Sequence, residues 1–429
     1  MKSTLILGLG KSGRAAAKLL LSHKKNVCAF DDYLKDLEEA LCLEELGLKR
    51  ISDLGAICWE KIDQCVISPG VDPKHIIYAT AKDRGIPVVT EVELALPFIS
   101  EPLIAVTGTN GKTTVTLLVE HVLSTSGICA KAVGNVGVPL CSYVLDSKKA
   151  EVLVVELSSF QLETLDSPVF DQAAILNITP DHLDRYPDMQ AYAKAKLRLQ
   201  NCMKEKGSLF IQEKVVEQFG FLLEKNEYQT LDFYQKDLEY FSSSLYRECA
   251  EHERENTLAA WALCKPFGIS HTQFKKALTT FCRPSHRLEC IASIDGVDYY
   301  DDSKGTNIDA VICAVRAMKG KVILIAGGVD KGSSYTAWKR PFSGKVRQIL
   351  AIGLAAKKIE QELHPFIPVI CVDSMQSAVV MAKELAKEKE SVLLSPGCAS
   401  FDMYCDYAYR GKEFQYQVRL LRDGKSYES

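Results

Sequence analysis

The chain has 429 residues, a formal net charge of −3 at pH 7 and no basic run, so its composition does not favour a nucleic-acid or anionic-membrane partner. A chain of this length predicts about three domains, each large enough to bury its own core. No apolar stretch approaches the length that spans a bilayer, and we expect a cytoplasmic monomer.

The cysteines, 15 in number, are scattered along the chain without a C-x-x-C pair. A disulfide framework is typical of small secreted proteins, which this chain does not resemble in size. We therefore expect free thiols in a reducing compartment, most of them acting as small core hydrophobes.

The first predicted domain, residues 1–92, opens with a glycine-rich βαβ pattern. A strand at Thr4–Leu7 precedes Gly8–Gly13, a helix over about Arg14–Leu21, and a second strand at Val27–Phe30 that ends in acidic residues. Such a fingerprint binds a diphosphate at a helix N-terminus and a ribose at a carboxylate, so a uridine diphosphate could use the same parts. Alternatively, the glycines only allow close helix packing. The predicted nucleotide-binding residues, with one from the next domain, are Gly10, Lys11, Ser12, Gly13, Asp31, Asp32, Ser68, Gly70 and Asn135.

The second predicted domain, residues 93–283, contains a phosphate-binding loop. The apolar run Pro102–Ala105 leads into a glycine-bearing turn and then a helical pattern, Val115–Leu123. This order points backbone N–H groups and a positive helix end at one place, which suits a polyphosphate. The first glycine of the usual formula would fall on Val106, so the loop is a variant, and the alternative is an ordinary glycine turn. The predicted ATP-binding residues here are Gly108, Thr109, Asn110, Gly111, Lys112, Thr113 and Thr114.

Candidate metal ligands follow two further strands of this domain. Glu156 ends the apolar run Val152–Glu156, and the strand Ala173–Asn177 leads to a loop that contains His182. Because ligands lie at the carboxyl ends of parallel strands, Glu156 is expected near Thr113, whose hydroxyl would bind Mg²⁺. The alternatives are a simple turn carboxylate and a structural histidine.

Lys196 lies on the apolar stripe of the next predicted helix. Met189, Tyr192, Leu199 and Met203 share its spacing, whereas other basic residues of the segment fall off the stripe. A lysine drawn inward tends to lose its proton and to become reactive toward CO₂ or a carbonyl. From the pattern alone, a lysine whose stem covers apolar surface is the more common explanation.

The third predicted domain, residues 284–429, contains three strands that end in polar, glycine-bearing loops. These loops begin near Asp301, Gly327 and Ser395. If the strands are parallel neighbours, the loops share one edge of a sheet, and this edge is the predicted binding face.

These motifs resemble the successive signatures of the Mur ligases, the ATP-dependent amide-forming enzymes of peptidoglycan synthesis. The resemblance covers nearly the whole chain and implies an α/β protein with a Rossmann-like N-terminal domain, a central P-loop-type ATP-binding domain with a parallel sheet, and a C-terminal Rossmann-like domain. The stretches that carry it are Gly108–Thr113, Glu156–Gln161, Asp181–Tyr186, His286–Glu289, Asp302–Lys304, Gly327–Gly328 and Ser395–Ser400.

The resemblance also implies roles for individual residues. Lys112, His182 and Lys196 would be catalytic, with Lys196 carbamylated, and Thr113, Glu156, His182 and Lys196 would hold Mg²⁺. The adenine and ribose of ATP would meet residues on the second and third domains, namely Asn256, Arg287 and Asp302. The incoming amino acid would meet Lys304, Thr306, Lys331, Ser400 and Tyr407. Two positions depart from the usual pattern, Glu253 in place of Asn and Tyr407 in place of Phe.

Within the family, the chain length, the Rossmann-like opening and the segment from His182 to Lys196 favour the members that join D-glutamate to UDP-N-acetylmuramoyl-L-alanine through an acyl phosphate. A member that adds another amino acid is the first alternative, although the Asp-Asn-Pro-Arg signature of diaminopimelate-adding members is absent. An NAD-dependent oxidoreductase would explain the opening glycines but not the loop at Gly108. A non-catalytic nucleotide-regulated binding protein would not need the third domain's polar strand ends.

Overall fold

A computed structural model describes residues 2–34, 36–224, 228–231 and 251–423. Three β-sheets with flanking helices follow one another along the chain, which confirms the predicted α/β class with three domains. The chain forms two compact units, Met1–Ile178 with Gln190–Phe281, and Thr179–Met189 with Cys282–Ser429. The short segment Thr179–Met189 therefore packs with the third sheet, although it lies in the middle of the sequence.

The first sheet has the strand order β3-β2-β1-β4-β5, and its paired strands are parallel. The order reverses between β1 and β4, so the loops that follow these two strands lie side by side at the switch point. The strands are β1 (Ser3–Leu7), β2 (Val27–Phe30), β3 (Lys49–Arg50), β4 (Ile62–Ile67) and β5 (Val88–Thr90). The helices are α1 (Lys11–Ser22), α2 (Leu37–Glu45), α3 (Ile76–Asp83) and α4 (Glu91–Ala95), with 3₁₀ turns at Leu54–Ala56, Trp59–Lys61 and Leu96–Phe98.

Helix α1 begins at Lys11, three residues before the predicted Arg14, and includes Gly13 in its first turn. A Cβ atom at Gly13 would lie 1.9 Å from the carbonyl oxygen of Gly8, a distance that no side chain tolerates. Gly8 itself has a φ of +89°, which favours glycine. The end of β1 and the start of α1 can approach each other only because both positions lack a side chain.

The second sheet, over the described residues, has the order β11-β10-β9-β6-β8-β7 with parallel pairing throughout. The strands are β6 (Leu103–Thr107), β7 (Ala130–Gly134), β8 (Val152–Glu156), β9 (Phe170–Ile175), β10 (Met203–Gln212) and β11 (Gln229–Leu231). The helices are α5 (Lys112–Thr125), α6 (Leu140–Leu145), α7 (Ser159–Leu162), α8 (Met189–Leu197), α9 (Glu213–Phe219), α10 (Glu251–Cys264) and α11 (His271–Thr280), with 3₁₀ turns at Arg198–Cys202, Gly220–Leu222 and Lys265–Phe267. Strand β6 lies between β8 and β9, so the loop after β6 emerges at the switch point of this sheet.

The helix that carries Lys196 is shorter than the predicted apolar stripe. Helix α8 ends at Leu197, the next residues form a 3₁₀ turn, and Met203 opens β10. The inward position of Lys196 is nevertheless confirmed, because its side chain is 1 % exposed whereas Lys194 is exposed. The part of α8 that precedes Lys196 and the 3₁₀ turn that follows are enough to fix the buried face.

The third sheet has the order β12-β13-β17-β14-β15-β16, with an antiparallel pair at β12 and β13 and parallel pairing elsewhere. The strands are β12 (Glu289–Ile294), β13 (Val297–Asp301), β14 (Val322–Gly327), β15 (Val346–Ile352), β16 (Val369–Val372) and β17 (Ser391–Leu394). The helices are α12 (Ile308–Ala317), α13 (Lys339–Phe342), α14 (Ala356–Leu363), α15 (Met375–Leu385) and α16 (Tyr407–Arg422), with a 3₁₀ turn at Tyr335–Trp338. Strands β13, β17 and β14 are parallel neighbours, so their three polar loops share one edge, as predicted.

The cysteines only partly match the expectation from the sequence. All those in the described residues are free thiols. Equal numbers are buried and exposed, six of each, so the expectation that most of them lie in the core is wrong. Isolated exposed cysteines carry no periodic signal, and the sequence therefore could not separate the two groups.

No helix in the described parts of the chain is long and apolar enough to cross a membrane.

The contrast between Gly13 and Gly10 gives a test of the first domain's packing. A Cβ atom at Gly10 would meet nothing within 4 Å, whereas one at Gly13 would collide with the Gly8 carbonyl. We expect Gly13→Ala to lower the free energy of unfolding by about 2 kcal/mol or more, because overpacking forces backbone shifts. Gly10→Ala, the matched control, should change it little. Urea denaturation of both variants provides the measurement, and equal effects would contradict the packing argument.

Candidate active site

The phosphate loop lies between strand β6 and helix α5. Gly111 has a φ of +85° and is the N-cap of α5, with no side-chain hydrogen bond closing this helix end. Gly108 has a φ of +153° and also favours glycine. Thr113 and Thr114 follow in the first turn of the helix and are half-buried. Backbone N–H groups and the positive end of the helix dipole therefore point at one place, as an anion site requires.

Asn177, just past β9, holds the phosphate loop in shape. The backbone N–H of Thr109 donates to the Asn177 carbonyl at 2.7 Å, and that of Asn110 donates to Asn177 Oδ1 at 2.8 Å. Asn177 Nδ2 donates in return to the Asn110 carbonyl at 3.0 Å. On the other side, the hydroxyls of Thr109 and Tyr192 lie 3.1 Å apart. The loop is thus clamped by residues that the sequence reading did not assign to the site.

Two lysines converge on one carbonyl of this loop. Lys112 Nζ donates to the carbonyl of Gly108 at 2.8 Å and to that of Thr109 at 2.9 Å. Lys196 Nζ donates to the same Gly108 carbonyl at 2.7 Å and lies 4.7 Å from the centre of the Tyr192 ring. Two basic side chains from different helices therefore lie together at the phosphate loop.

Glu156 ends β8 beside β6, with its side chain 1 % exposed. Asn135 Nδ2 donates to Glu156 Oε1 at 2.6 Å, while Oε2 is buried with no hydrogen-bond partner. A buried carboxylate oxygen without a donor is costly unless a cation is its partner. Such an oxygen, oriented by a hydrogen bond to its twin, fits the hard oxygen ligand that Mg²⁺ prefers.

Asn256 lies against the turn that starts α5. It is buried on α10, and a Cβ atom at Gly111 would lie 2.2 Å from its Oδ1. The absence of a side chain at Gly111 thus leaves room for Asn256 beside the loop. The structure therefore brings Asn256 together with the predicted phosphate-binding residues.

The predicted nucleotide-binding residues of the first domain surround the switch point of its sheet. Ser68 Oγ donates to the carbonyl of Gly8 at 2.8 Å, which joins the two loops. The Asp31 carboxylate accepts backbone N–H bonds from Leu9 at 2.5 Å and from Tyr33 at 2.8 Å, so it supports the glycine turn itself. Its assignment to a ribose stays a prediction.

Open space lies in front of the same two loops. Cβ atoms at Gly10 and Gly70 would each meet nothing within 4 Å, so neither glycine is required by contacts within the protein. Ser12 is half-buried in the first turn of α1, and Asp32 pairs with His75 Nε2 at 3.1 Å. Lys11 Nζ donates to the carbonyl of Gly137 at 2.6 Å, two residues beyond Asn135.

Asp302 lies at the end of β13 in the third domain. Burial raises the pKa of its carboxyl to about 7, while a hydrogen bond from Ser395 Oγ at 2.7 Å and the nearby Arg287 guanidinium act in the opposite direction. A carboxyl with a pKa in this range is typical of a functional site. The structure thus brings Asp302 and Arg287 into electrostatic contact.

The loop after Asp302 is held by helix α16. Ser303 Oγ donates to the carbonyl of Tyr407 at 2.7 Å, and Lys304 Nζ lies 3.8 Å from the centre of the Tyr407 ring. The buried Arg410 donates to the Ser303 hydroxyl at 3.1 Å and to the Ser303 and Cys398 carbonyls at 2.9 and 3.1 Å. One guanidinium thus ties together the loops that follow β13 and β17.

The predicted acceptor residues fall into two groups. Lys331 Nζ lies 3.5 Å from the Thr306 hydroxyl and 3.0 Å from Asp181 Oδ1, whereas Lys304 packs on Tyr407. Ser400 is buried in the loop after β17. All of these residues lie in the second compact unit, as does His182, which has a φ of +56° next to Asp181. The role of His182 as a metal ligand stays a prediction.

A third cluster in the second compact unit joins the start of β12 to the end of β13. His286 Nδ1 lies 2.6 Å from Asp301 Oδ2, and Gln415 Nε2 donates to Asp301 at 2.9 Å and to Glu289 at 3.4 Å. The potential metal ligands His286, Glu289 and Asp301 lie within 4.8 Å of one another. Gln415 Nε2 thus donates to the carboxylates of both Asp301 and Glu289, so the cluster forms a hydrogen-bond network within the protein.

Family models match the chain in three consecutive stretches. Their descriptions are "Mur ligase MurD-like, N-terminal domain" over residues 2–90, "Mur ligase middle domain" over residues 106–264, and "Mur ligase, glutamate ligase domain" over residues 286–398. Each matched stretch contains all or most of one of the three sheets.

Curated relatives match over almost the full length. A UDP-N-acetylmuramoylalanine–D-glutamate ligase of Protochlamydia amoebophila (strain UWE25) is 44 % identical over 436 residues and covers 98 % of both chains. A protein of the same name from Nitrosococcus oceani is 35 % identical over 446 residues, with 98 % of this chain and 97 % of the relative covered.

Among solved structures, the UDP-N-acetylmuramate-alanine ligase MurC from Thermotoga maritima matches with a TM-score of 0.60 and 17 % identity, covering 99 % of this chain and 100 % of that one. This likeness supports the fold. The resemblance drawn from the sequence motifs is confirmed by the family models and by the full-length relatives. The chain belongs to the Mur ligase family.

Proposed function

We propose that this protein is an ATP-dependent ligase that joins D-glutamate to UDP-N-acetylmuramoyl-L-alanine. The single observation that carries the proposal is the glycine loop after β6, where Lys112 and Lys196 converge on the Gly108 carbonyl. The names of the full-length relatives support the choice of substrates. The proposed reaction is ATP-dependent ligation, because a carboxylate does not form an amide with an amine until it has been activated.

Activation begins with transfer of the γ-phosphoryl group of ATP to the carboxylate of the sugar-linked alanine. Two anions must approach each other, and the loop's N–H groups together with Lys112 lower their repulsion and stabilise the charge that develops on phosphoryl oxygens. The acyl phosphate that results is attacked by the amine of D-glutamate. A tetrahedral intermediate then collapses, and inorganic phosphate leaves with its bonding electrons.

A Mg²⁺ ion fits the residues beside the loop. Glu156 offers a buried, partnerless oxygen, and Thr113 offers a hydroxyl in the first turn of α5. The ion would supply neutralising charge at the phosphate oxygens. Asn135 fixes the Glu156 carboxylate through Oε1, and so it acts as a positioning residue for this ligand. The additional roles of His182 with the metal and of Arg287 and Asp302 with the nucleotide are part of the proposal through the family resemblance.

Lys196 is proposed to carry a carbamate. Burial favours the neutral amine, which is the form that adds to CO₂. In the reaction the amine nitrogen forms a bond to carbon, one proton is released, and a carboxylate is created. One N–H remains on Nζ, so the hydrogen bond to the Gly108 carbonyl is compatible with the modification.

The uridine diphosphate is proposed to lie against the first domain's switch point. Gly10 and Gly70 border open space there, and the start of α1 has no side-chain cap. A diphosphate at this helix end would meet backbone N–H groups and the helix dipole. We further propose that the enzyme acts in the cytoplasm as a monomer.

A phosphate-release assay tests the proposed function. We expect release from ATP only when UDP-N-acetylmuramoyl-L-alanine and D-glutamate are both present, because the acyl phosphate needs both the carboxylate and the attacking amine. Other amino acids should be tried in place of D-glutamate. Release that needs neither co-substrate, or that requires a different amino acid, would contradict the proposal.

Lys112→Ala should abolish turnover without unfolding the protein. The variant removes the lysine side chain that directly follows the last glycine of the phosphate loop, and we expect phosphate release below about 1 % of the wild-type rate. Far-ultraviolet circular dichroism and the melting temperature monitor the fold. A well-folded variant that retains a substantial rate would rule out this role for Lys112.

Lys196→Ala should be nearly inactive and partly rescued by short carboxylic acids, which can occupy the vacated space and restore an anionic oxygen. Lys194→Ala is the matched control, because Lys194 lies on the same helix but is exposed. Steady-state rates at increasing acetate or formate concentration provide the measurement. Absence of rescue in a folded Lys196→Ala protein, or an equal loss in the control, would argue against a carbamate.

A further inference from the structure

Asp181 and Lys331 form an ion pair in the second compact unit. Lys331 Nζ lies 3.0 Å from Asp181 Oδ1, and the two side chains are 15 % and 8 % exposed. Charges this well shielded interact more strongly than pairs on the surface, and removal of either partner leaves the other poorly solvated. The pair joins the loop after β14 to the short segment Thr179–Met189.

Further donors hold the Asp181 carboxylate. The backbone N–H of His182 donates to Oδ1 at 2.9 Å, and Asn307 Nδ2 lies 3.3 Å from Oδ2. Asn307 is itself fixed, because its Oδ1 accepts the backbone N–H of Ala310 at the start of α12. Asp181 is thus anchored independently of Lys331, and its carboxylate is a fixed point to which the lysine attaches.

The base of Lys331 is fixed as well. The adjacent Asp330 carboxylate pairs with Lys358 Nζ at 2.6 Å and accepts from the Tyr335 hydroxyl at 3.2 Å. The Tyr335 hydroxyl also lies 2.9 Å from the buried Cys398 sulfur. These contacts hold the backbone next to Lys331, so its remaining conformational freedom lies mainly in rotation of its side chain. The ion pair with Asp181 restricts that rotation.

We propose that Asp181 is a positioning residue that orients the Lys331 ammonium toward a carboxylate of the amino-acid acceptor, an inference that rests on the proposed function. An ammonium has three N–H donors. Asp181 and the Thr306 hydroxyl take the directions of two of them, so the third direction is set for an incoming carboxylate. A lysine that is already ordered loses less rotamer entropy when it binds substrate.

The test uses four variants of the full-length enzyme with D-glutamate and ATP varied in turn. Asp181→Asn keeps the size of the side chain and removes its charge, and Lys331→Ala removes the proposed acceptor contact. The double variant completes a cycle that measures their coupling. Asp184→Asn is the matched control, because Asp184 lies in the same segment but is exposed. Melting temperatures report on folding.

We expect Asp181→Asn to raise KM for D-glutamate about tenfold and Lys331→Ala to raise it about a hundredfold, the range for loss of charge-assisted hydrogen bonds. The KM for ATP should change less than about twofold, because ground-state contacts to the acceptor alone are lost. The double variant should differ from Lys331→Ala by less than about twofold, since Asp181 acts through Lys331. The control should resemble the wild type.

Three results would overturn the proposal. A lower KM for D-glutamate in Asp181→Asn would mean that Asp181 competes with the substrate for Lys331. Multiplicative effects in the double variant would mean that the two residues act separately. A change shared equally by ATP and D-glutamate would indicate a general structural role. A wild-type enzyme that does not use D-glutamate would instead reject the proposed function, so the two failures are distinguishable.

Discussion

The active-site region of the second domain depends on the carbonyl oxygen of Gly108. The side-chain nitrogens of Lys112 and Lys196 both donate to this one acceptor, and Gly108 has a φ of +153°. A carbonyl offers two lone pairs, so the two lysines saturate it. Replacement of Gly108 by a larger residue would strain the backbone and would bring a Cβ atom to 3.0 Å from Leu176. The conformation of the loop, the first turn of α5 and the buried face of α8 therefore all depend on this one carbonyl.

All three sheets use the same topological device. In each sheet, strands that are not consecutive in the sequence lie side by side, and polar loops meet at their carboxyl ends. These strands are β1 and β4 in the first sheet, β6 with β8 and β9 in the second, and β17 with β13 and β14 in the third. Parallel strands force this arrangement because each crossover returns the chain to the same starting edge. Most residues assigned from sequence therefore lie at these edges, since a polar loop after an apolar run is visible in the sequence.

The parts of the site that escaped prediction have a different origin. Asn177, Tyr192 and Arg410 act on loops that are distant in sequence, and their own neighbourhoods do not indicate those contacts, although Tyr192 lies on the predicted apolar stripe. Arg410 is especially obscure, because a charged residue within a helix usually faces solvent, whereas here the side chain is 2 % exposed. Asp31 shows a contact of the same kind, since its carboxylate accepts a backbone N–H of the glycine turn at Leu9 and another at Tyr33. Sequence motifs identify which loops matter, but side-chain anchoring across loops requires the fold.

The position of Arg410 along the chain has a consequence for biosynthesis. Its guanidinium donates to carbonyls of residues 303 and 398, and burial lowers its pKa to about 10, so its charge depends on these acceptors and their neighbours for stabilisation. The ribosome makes both loops before it makes Arg410. A nascent chain therefore emerges with the third sheet's strands complete but with its binding edge unpinned. Helix α16 must dock before Arg410 can hold that edge, so the acceptor region takes its shape only after this helix has been made.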